Sequence, residues 1–212
     1  IFAGILSGII ASCLTLNPQR LYWPIATALA CIMIASLLDS QSTSLTRPDQ
    51  LMLSQFLLGF GSAFFLAPAM LAGIGGVIAD QRNLVSFSVL FGMSQNIGGL
   101  LGSAILGTFQ TWREKFHSSQ LADQITTLNP LINDRLQQYL QQYQSQIGDS
   151  ALLNVQANTL LQTASTLEAN ILAYNDTYLL TAAISAATLL WVFWRLLRLR
   201  ITAHVALKRA TG

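Results

Sequence analysis

NLVSFSVLFGMSQNIGGLLGSAILGTFQTW, residues Asn83 to Trp112, contains no Asp, Glu, Lys, Arg or His. At 1.5 Å rise per residue it is longer than the roughly 20 residues of helix that a hydrocarbon core requires. Similar charge-free stretches run from Ile1 to Gln19, Leu21 to Leu38, Gln50 to Ala79 and Thr177 to Trp194. A chain built this way is an integral membrane protein. In hydrocarbon every backbone N–H and C=O has to be satisfied internally, so an all-α fold follows.

Composition agrees: 52% of residues are hydrophobic and 9% charged, where a soluble domain carries about 25%. The net charge of +2 is too small to draw nucleic acid, so the position of each charge matters more than the sum. Cys13 and Cys31 fall inside predicted spans, where a thiol behaves as a small hydrophobe. Ile1 already lies in an apolar segment without a basic flank or signal-peptide layout. We therefore expect the C-terminal part of a longer protein, with its first span truncated.

The expected organisation is four spans in residues 1–112, an external segment 113–176, a last span 177–194 and a tail 195–212. The tail holds Arg195, Arg198, Arg200, Lys208 and Arg209 and no acid, which places it in the cytoplasm. Counting back, the Asn17–Arg20 and Asp80–Arg82 turns are cytoplasmic, and the Asp39–Asp49 loop and the acidic 113–176 segment are external. In that segment Asn129-Pro130 starts a helix. Ile132, Leu136, Tyr139, Tyr143 and Ile147 then recur at helical spacing. Gly148-Asp149-Ser150 interrupts it, and Leu153, Ala157, Leu160, Ala164, Leu167, Ile171 and Tyr174 carry the period into the last span. The expectation is an external hairpin of two amphipathic helices, either packed on itself or presented to a partner.

Polar residues are uneven among the spans. Gln55, Gly59 and Ser62 share a face of the Gln50–Ala79 span, which also holds Gly61 and Pro68. In the quoted stretch Gln95, Gly99, Ser103 and Gly107 form an i, i+4 row, with Gly98 and Gly102 beside it. Small residues at this spacing let helices approach closely. We assign Gly59, Gly61, Pro68, Gly98, Gly99, Gly102, Ser103 and Gly107 to helix packing. Amides inside a membrane face the bundle interior or a wet cavity, which makes Gln55, Ser62, Gln95 and Asn96 the substrate-path candidates.

The run GFGSAFFLAP (Gly59–Pro68), a short turn, QNIGGLLGSAILG (Gln95–Gly107), a long loop and a final span together resemble the C-terminal part of fourteen-span drug:proton antiporters of the major facilitator superfamily, the EmrB/QacA type. The resemblance covers nearly the whole chain and implies a partial major facilitator helical bundle. It implies proton-coupled export of small amphipathic compounds by alternating access and residence in the inner (plasma) membrane. In two-membrane bacteria it also implies a periplasmic adaptor and an outer-membrane channel as partners. The Gln50–Ala79 span would line the cavity, the Asn83–Trp112 span would pack on the N-terminal half, and the last span would be peripheral. The chain departs from the family in placing Gln95 where members often carry Arg before a Gln-Leu-Gly-Gly stretch. Since none of the complete spans holds Asp, Glu, Lys, Arg or His, the proton-coupling carboxylate is expected elsewhere in the intact protein.

No Ser/His/Asp set, zinc-ligand spacing or phosphate loop occurs, so neither enzymatic activity nor a cofactor or metal is expected. His117 and His204 read as isolated, solvated residues at the membrane edge. Gly73-Ile74-Gly75-Gly76 reads as a helix stop. A nutrient importer of the same fold, or a membrane scaffold that does not transport, are the alternatives.

Overall fold

Apolar runs punctuated by Pro, Gly and short polar turns become helices of the expected order in a computed structural model, which describes residues 1–17, 20–75, 82–124, 130–143 and 150–211. These are α1 (Phe2–Thr15), α2 (Tyr22–Asp39), α3 (Met52–Ile74), α4 (Arg82–Gln124), α5 (Pro130–Tyr143) and α6 (Ser150–Thr211), with no strand among the described residues. A 3-10 turn, Pro48–Leu51, leads into α3; the Gln50 side chain accepts the Arg47 backbone N–H at 3.1 Å. Four of the helical segments are long and apolar enough to cross a bilayer, and α1 is a shorter apolar helix. The all-helical architecture is consistent with a partial major facilitator bundle. Gly76, Asp80, Asn129, Ile147, Gly148 and Asp149, all used in the sequence reading, lie outside the described residues. So do the side chains of Arg82, Asn83, Ile132, Leu136, Tyr143, Leu153 and His204.

Two helices outrun their predicted spans. α4 continues past Trp112 to Gln124, and its 43 residues measure about 65 Å. α6 joins the 113–176 segment to the last span without a break over 62 residues, about 93 Å. Each exceeds a hydrocarbon core of about 30 Å and extends beyond it. The Gly73–Gly76 stop behaves as read: α3 ends at Ile74, and the Gly75 N–H closes back on the Leu71 carbonyl at 3.0 Å.

The chain divides into two units. The first comprises Ile1–Gln41, Thr46–Ala104 and Tyr178–Gly212. Its centre is α3, clasped by α1 and α2 through small residues. A Cβ on Gly4 would strike the Phe56 carbonyl, and one on Gly8 would lie 2.6 Å from the Phe60 carbonyl oxygen. From α3, a Cβ on Gly59 would lie 2.7 Å from the Ile1 oxygen, and one on Gly61 2.8 Å from the Ala28 oxygen. Gly4, Gly8 and Ser12 are all buried on α1, an i, i+4 row of small residues that lets backbones touch where the hydrophobic effect offers no drive. On the far side of α2, Ala26 and Leu29 pack with Val192 of α6. Trp23, at the start of α2, adjoins Phe193, Leu196 and Leu197, so that end of α2 and the basic end of the last span lie together.

The second unit comprises Ser42–Leu45 and Ile105–Thr177. Here the extension of α4 meets the first half of α6. Ser118 and Ala122 face Asn158, Leu161, Gln162, Ser165 and Thr166 across a groove. The buried side of α6 is Ala157, Ala169 and Ala173, while Leu167 and Tyr174 of the anticipated stripe are more than half exposed. The enclosed side chains of this stretch are small, and Leu167 and Tyr174 face outward.

Candidate functional site

Helix α2 ends at Asp39, and α3 begins a few residues later, so the connecting turn returns Ser54 and Gln55 to the end of α2. Asp39 is 1% exposed, which makes it the most enclosed acid among the described residues. Gln55 Nε2 donates to its Oδ2 at 2.9 Å, and the Ser54 hydroxyl donates to Oδ1. The same hydroxyl lies 2.9 Å from the Leu51 carbonyl, so it bridges the helix start and the acid. A carboxylate withdrawn from water needs such donors, because without them its desolvation costs several kcal/mol. The sequence reading placed Asp39 in a solvated external loop. Instead it is the last helical residue of α2 and braces α2 against α3.

This geometry places Gln55, a substrate-path candidate, with its amide engaged by Asp39. Ser62 is exposed, and its hydroxyl donates to the Leu58 carbonyl of its own helix at 2.7 Å. Gly59 turns to α1 and Gly61 to α2, and Pro68 is buried within α3. The residues of α3 that seemed to share a purpose therefore point to different neighbours.

Gln95 and Asn96 are exposed on α4. A Cβ added at Gly98, Gly99, Gly102 or Gly107 would meet nothing within 4 Å, and the Ser103 hydroxyl donates to the Leu100 carbonyl at 3.0 Å. Among the described residues, Gly73 and Phe87 mark a contact between the ends of α3 and α4. Beyond it, the polar face of α4 stands without a neighbour among the described residues.

A second cluster arises in the other unit, outside the predicted spans. Arg113 Nε lies 2.6 Å from Asp176 Oδ2, and His117 Nε2 lies 2.7 Å from the same oxygen. The guanidinium of Arg113 also sits over the rings of Trp112 and Phe116, at 5.8 and 4.8 Å from their centroids. Asn175 Nδ2 donates to the Ser42 carbonyl at 2.7 Å, tying the α2–α3 loop to α6. His117 is thus not the isolated, solvated residue that the sequence suggested. The i, i+4 spacing of Arg113 and His117 put them on one helix face. Nothing local identified Asp176, far along the chain, as their partner.

Burial raises the Asp176 carboxyl, but hydrogen bonds from His117 and Arg113, with the positive charge beside them, outweigh it and hold the group below the usual carboxylate value. A depressed carboxylate stabilises the fold above its unfolded pKa of about 3.9, and that contribution fades as pH falls through the folded value. Asp176→Asn is accordingly expected to lower thermal stability at neutral pH. The gap between variant and parent should close as the pH is brought below about 4. A gap of constant size down to strong acid would show that the carboxylate charge is not what matters.

No protein-family model matches the chain, and no solved structure matches it significantly. It is similar to YhcA, an uncharacterised MFS-type transporter of Bacillus subtilis (strain 168), with 24% identity over 172 residues. The similarity covers 74% of this chain and 30% of YhcA, so the chain spans less than a third of that relative's length. With its four span-length helices, the likeness is that of a multi-pass membrane protein of the major facilitator, transporter kind, and extends no further than that superfamily.

Proposed function

We propose that the chain forms the C-terminal part of a proton-coupled multidrug exporter of the fourteen-span type, working by alternating access in the inner (plasma) membrane with its C-terminus in the cytoplasm. The observation that carries this reading is the polar, glycine-rich face of α4, which meets no other described residue of this chain. Amides at mid-span are costly against lipid, and small residues at i, i+4 spacing suit a helix that slides closely along another. In the intact transporter this face meets the other half of the bundle, and Gln95 and Asn96 border the route taken by the solute. α1, α2 and α3 move as one body because their glycines lock them together. Asp39, already held by two donors, serves as a brace, and a carboxylate of other spans carries the coupled proton. In a two-membrane cell the 113–176 segment faces the periplasmic adaptor.

Dye retention in cells tests this. Removing the gene is expected to raise retention of amphipathic cationic dyes. Gln95→Leu with Asn96→Leu should change the order of preference among dyes while leaving the amount of protein in the membrane unaltered. Reduced nutrient uptake with unchanged dye efflux would instead identify an importer. A fall in protein amount alone would assign both amides to packing.

A further inference from the structure

A cleft of about 760 Å³ opens between the end of α1, the start of α2 and the middle of α3, away from the Asp39 cluster. Its floor is apolar, formed by Ala11, Trp23, Phe60 and Phe64, and Arg20 stands at its rim. The Phe60 and Phe64 rings stack at 5.2 Å, giving a flat wall. Arg20 is exposed and makes no ion pair among the described residues. Asp39, the nearest acid along this part of the chain, closes the opposite end of α2, about 27 Å away over its 18 residues.

The same end of the unit gathers more positive charge. Arg195 lies over Trp191 at 5.6 Å and Arg198 over Trp194 at 4.8 Å, and both adjoin the α6 residues that touch Trp23. Tryptophans and arginines at one end of span-length helices mark the level of the lipid headgroups. A cation with no acid beside it among the described residues, set over an aromatic groove at that level, complements an amphiphile whose head is anionic and whose tail is apolar. In a bilayer such a molecule is always within reach, and basic pockets between spans recognise it.

We infer that this cleft binds an anionic phospholipid, with Arg20 on the phosphate and an acyl chain along Trp23, Phe60 and Phe64. Arg195 and Arg198 form a second basic rim beyond Trp23. The inference does not depend on the solute or on the direction of transport.

The test is quenching of Trp23 fluorescence in the intact protein, with its other tryptophans replaced by phenylalanine, in phosphatidylcholine vesicles. Either phosphatidylglycerol or phosphatidylcholine carrying brominated chains is titrated in over the same range of mole fraction. Brominated phosphatidylglycerol is expected to quench at about fivefold lower mole fraction, the size of one arginine's attraction to an anionic surface. Arg20→Gln should remove the preference and Arg20→Lys should retain most of it. Inorganic phosphate should leave it unchanged. Should Arg20→Gln fail to fold, the preference in the parent must still weaken at high salt. Equal quenching by the two lipids in the parent, or a preference that survives Arg20→Gln, would overturn the site. Loss of preference on adding inorganic phosphate would reassign the cleft to a free anion.

Discussion

Gly8→Leu is expected to lower the yield of folded protein severely, because its side chain would have to enter the Phe60 backbone and the Ala63 methyl, which already crowd a Cβ at 2.6 and 3.0 Å. Overpacking of this kind typically costs about 1–3 kcal/mol, and backbone on the opposite side has less room to yield than a flexible side chain. Lipid provides no compensating drive for helices to associate by other faces, so a lost close approach is not easily replaced. Gly61→Leu should behave similarly, since the Ala28 carbonyl and Ile32 block it. Gly102→Leu is the comparison: its Cβ meets no described residue within 4 Å, so the α1–α2–α3 packing should survive whatever the change does where α4 meets the other half. Cysteine crosslinking between α1 and α3 separates the cases. A loss of that crosslink in Gly102→Leu equal to the loss in Gly8→Leu would contradict the assigned contacts.

The second large effect is expected at Asp39. Asp39→Ala removes the acceptor from Gln55 and Ser54 in a place where water does not replace it. Leaving buried donors unsatisfied costs about 1–3 kcal/mol. Asp39→Asn keeps one acceptor oxygen and should lose less. The double change Asp39→Ala with Gln55→Leu should recover part of the loss, because the orphaned amide is then gone as well. The ordering of the three melting temperatures checks this. If Asp39→Ala melts with the parent, the acid does not brace α2 to α3.

These contacts show which parts of the molecule the sequence disclosed. The span-length helices were legible because hydrocarbon demands long charge-free runs, and the stop at Ile74 followed from glycine chemistry. The row Gly4, Gly8, Ser12 obeyed the same spacing rule as the α4 row and was open to the same reading, yet its shortness beside Ile1 hid it. Asp39 was misplaced because a charge at the end of an apolar run looks like the first loop residue; its burial depends on a turn that returns Ser54 and Gln55 to it. The Arg113–His117–Asp176 cluster was invisible because its members come from two distant helices. Of the stripe named on α6, Ala157 is buried, but Ala169 and Ala173 were missed because the larger residues of the period were taken to mark the buried side. In that part of α6 the small residues are the enclosed ones, and Leu167 and Tyr174 are left facing outward.

The account as a whole requires the Gln95–Asn96 face of α4 to meet protein or water in the membrane and never lipid. Spin labels at these positions, in the intact protein with Cys13 and Cys31 changed to alanine, measure this directly by collision with oxygen, which concentrates in lipid, and with a water-soluble nickel chelate. Labels at Gln95 and Asn96 are predicted to show low oxygen and raised nickel accessibility, against the reverse at Ile97 and Leu101 on the opposite face. Oxygen accessibility at Gln95 and Asn96 equal to that at Ile97 would contradict it.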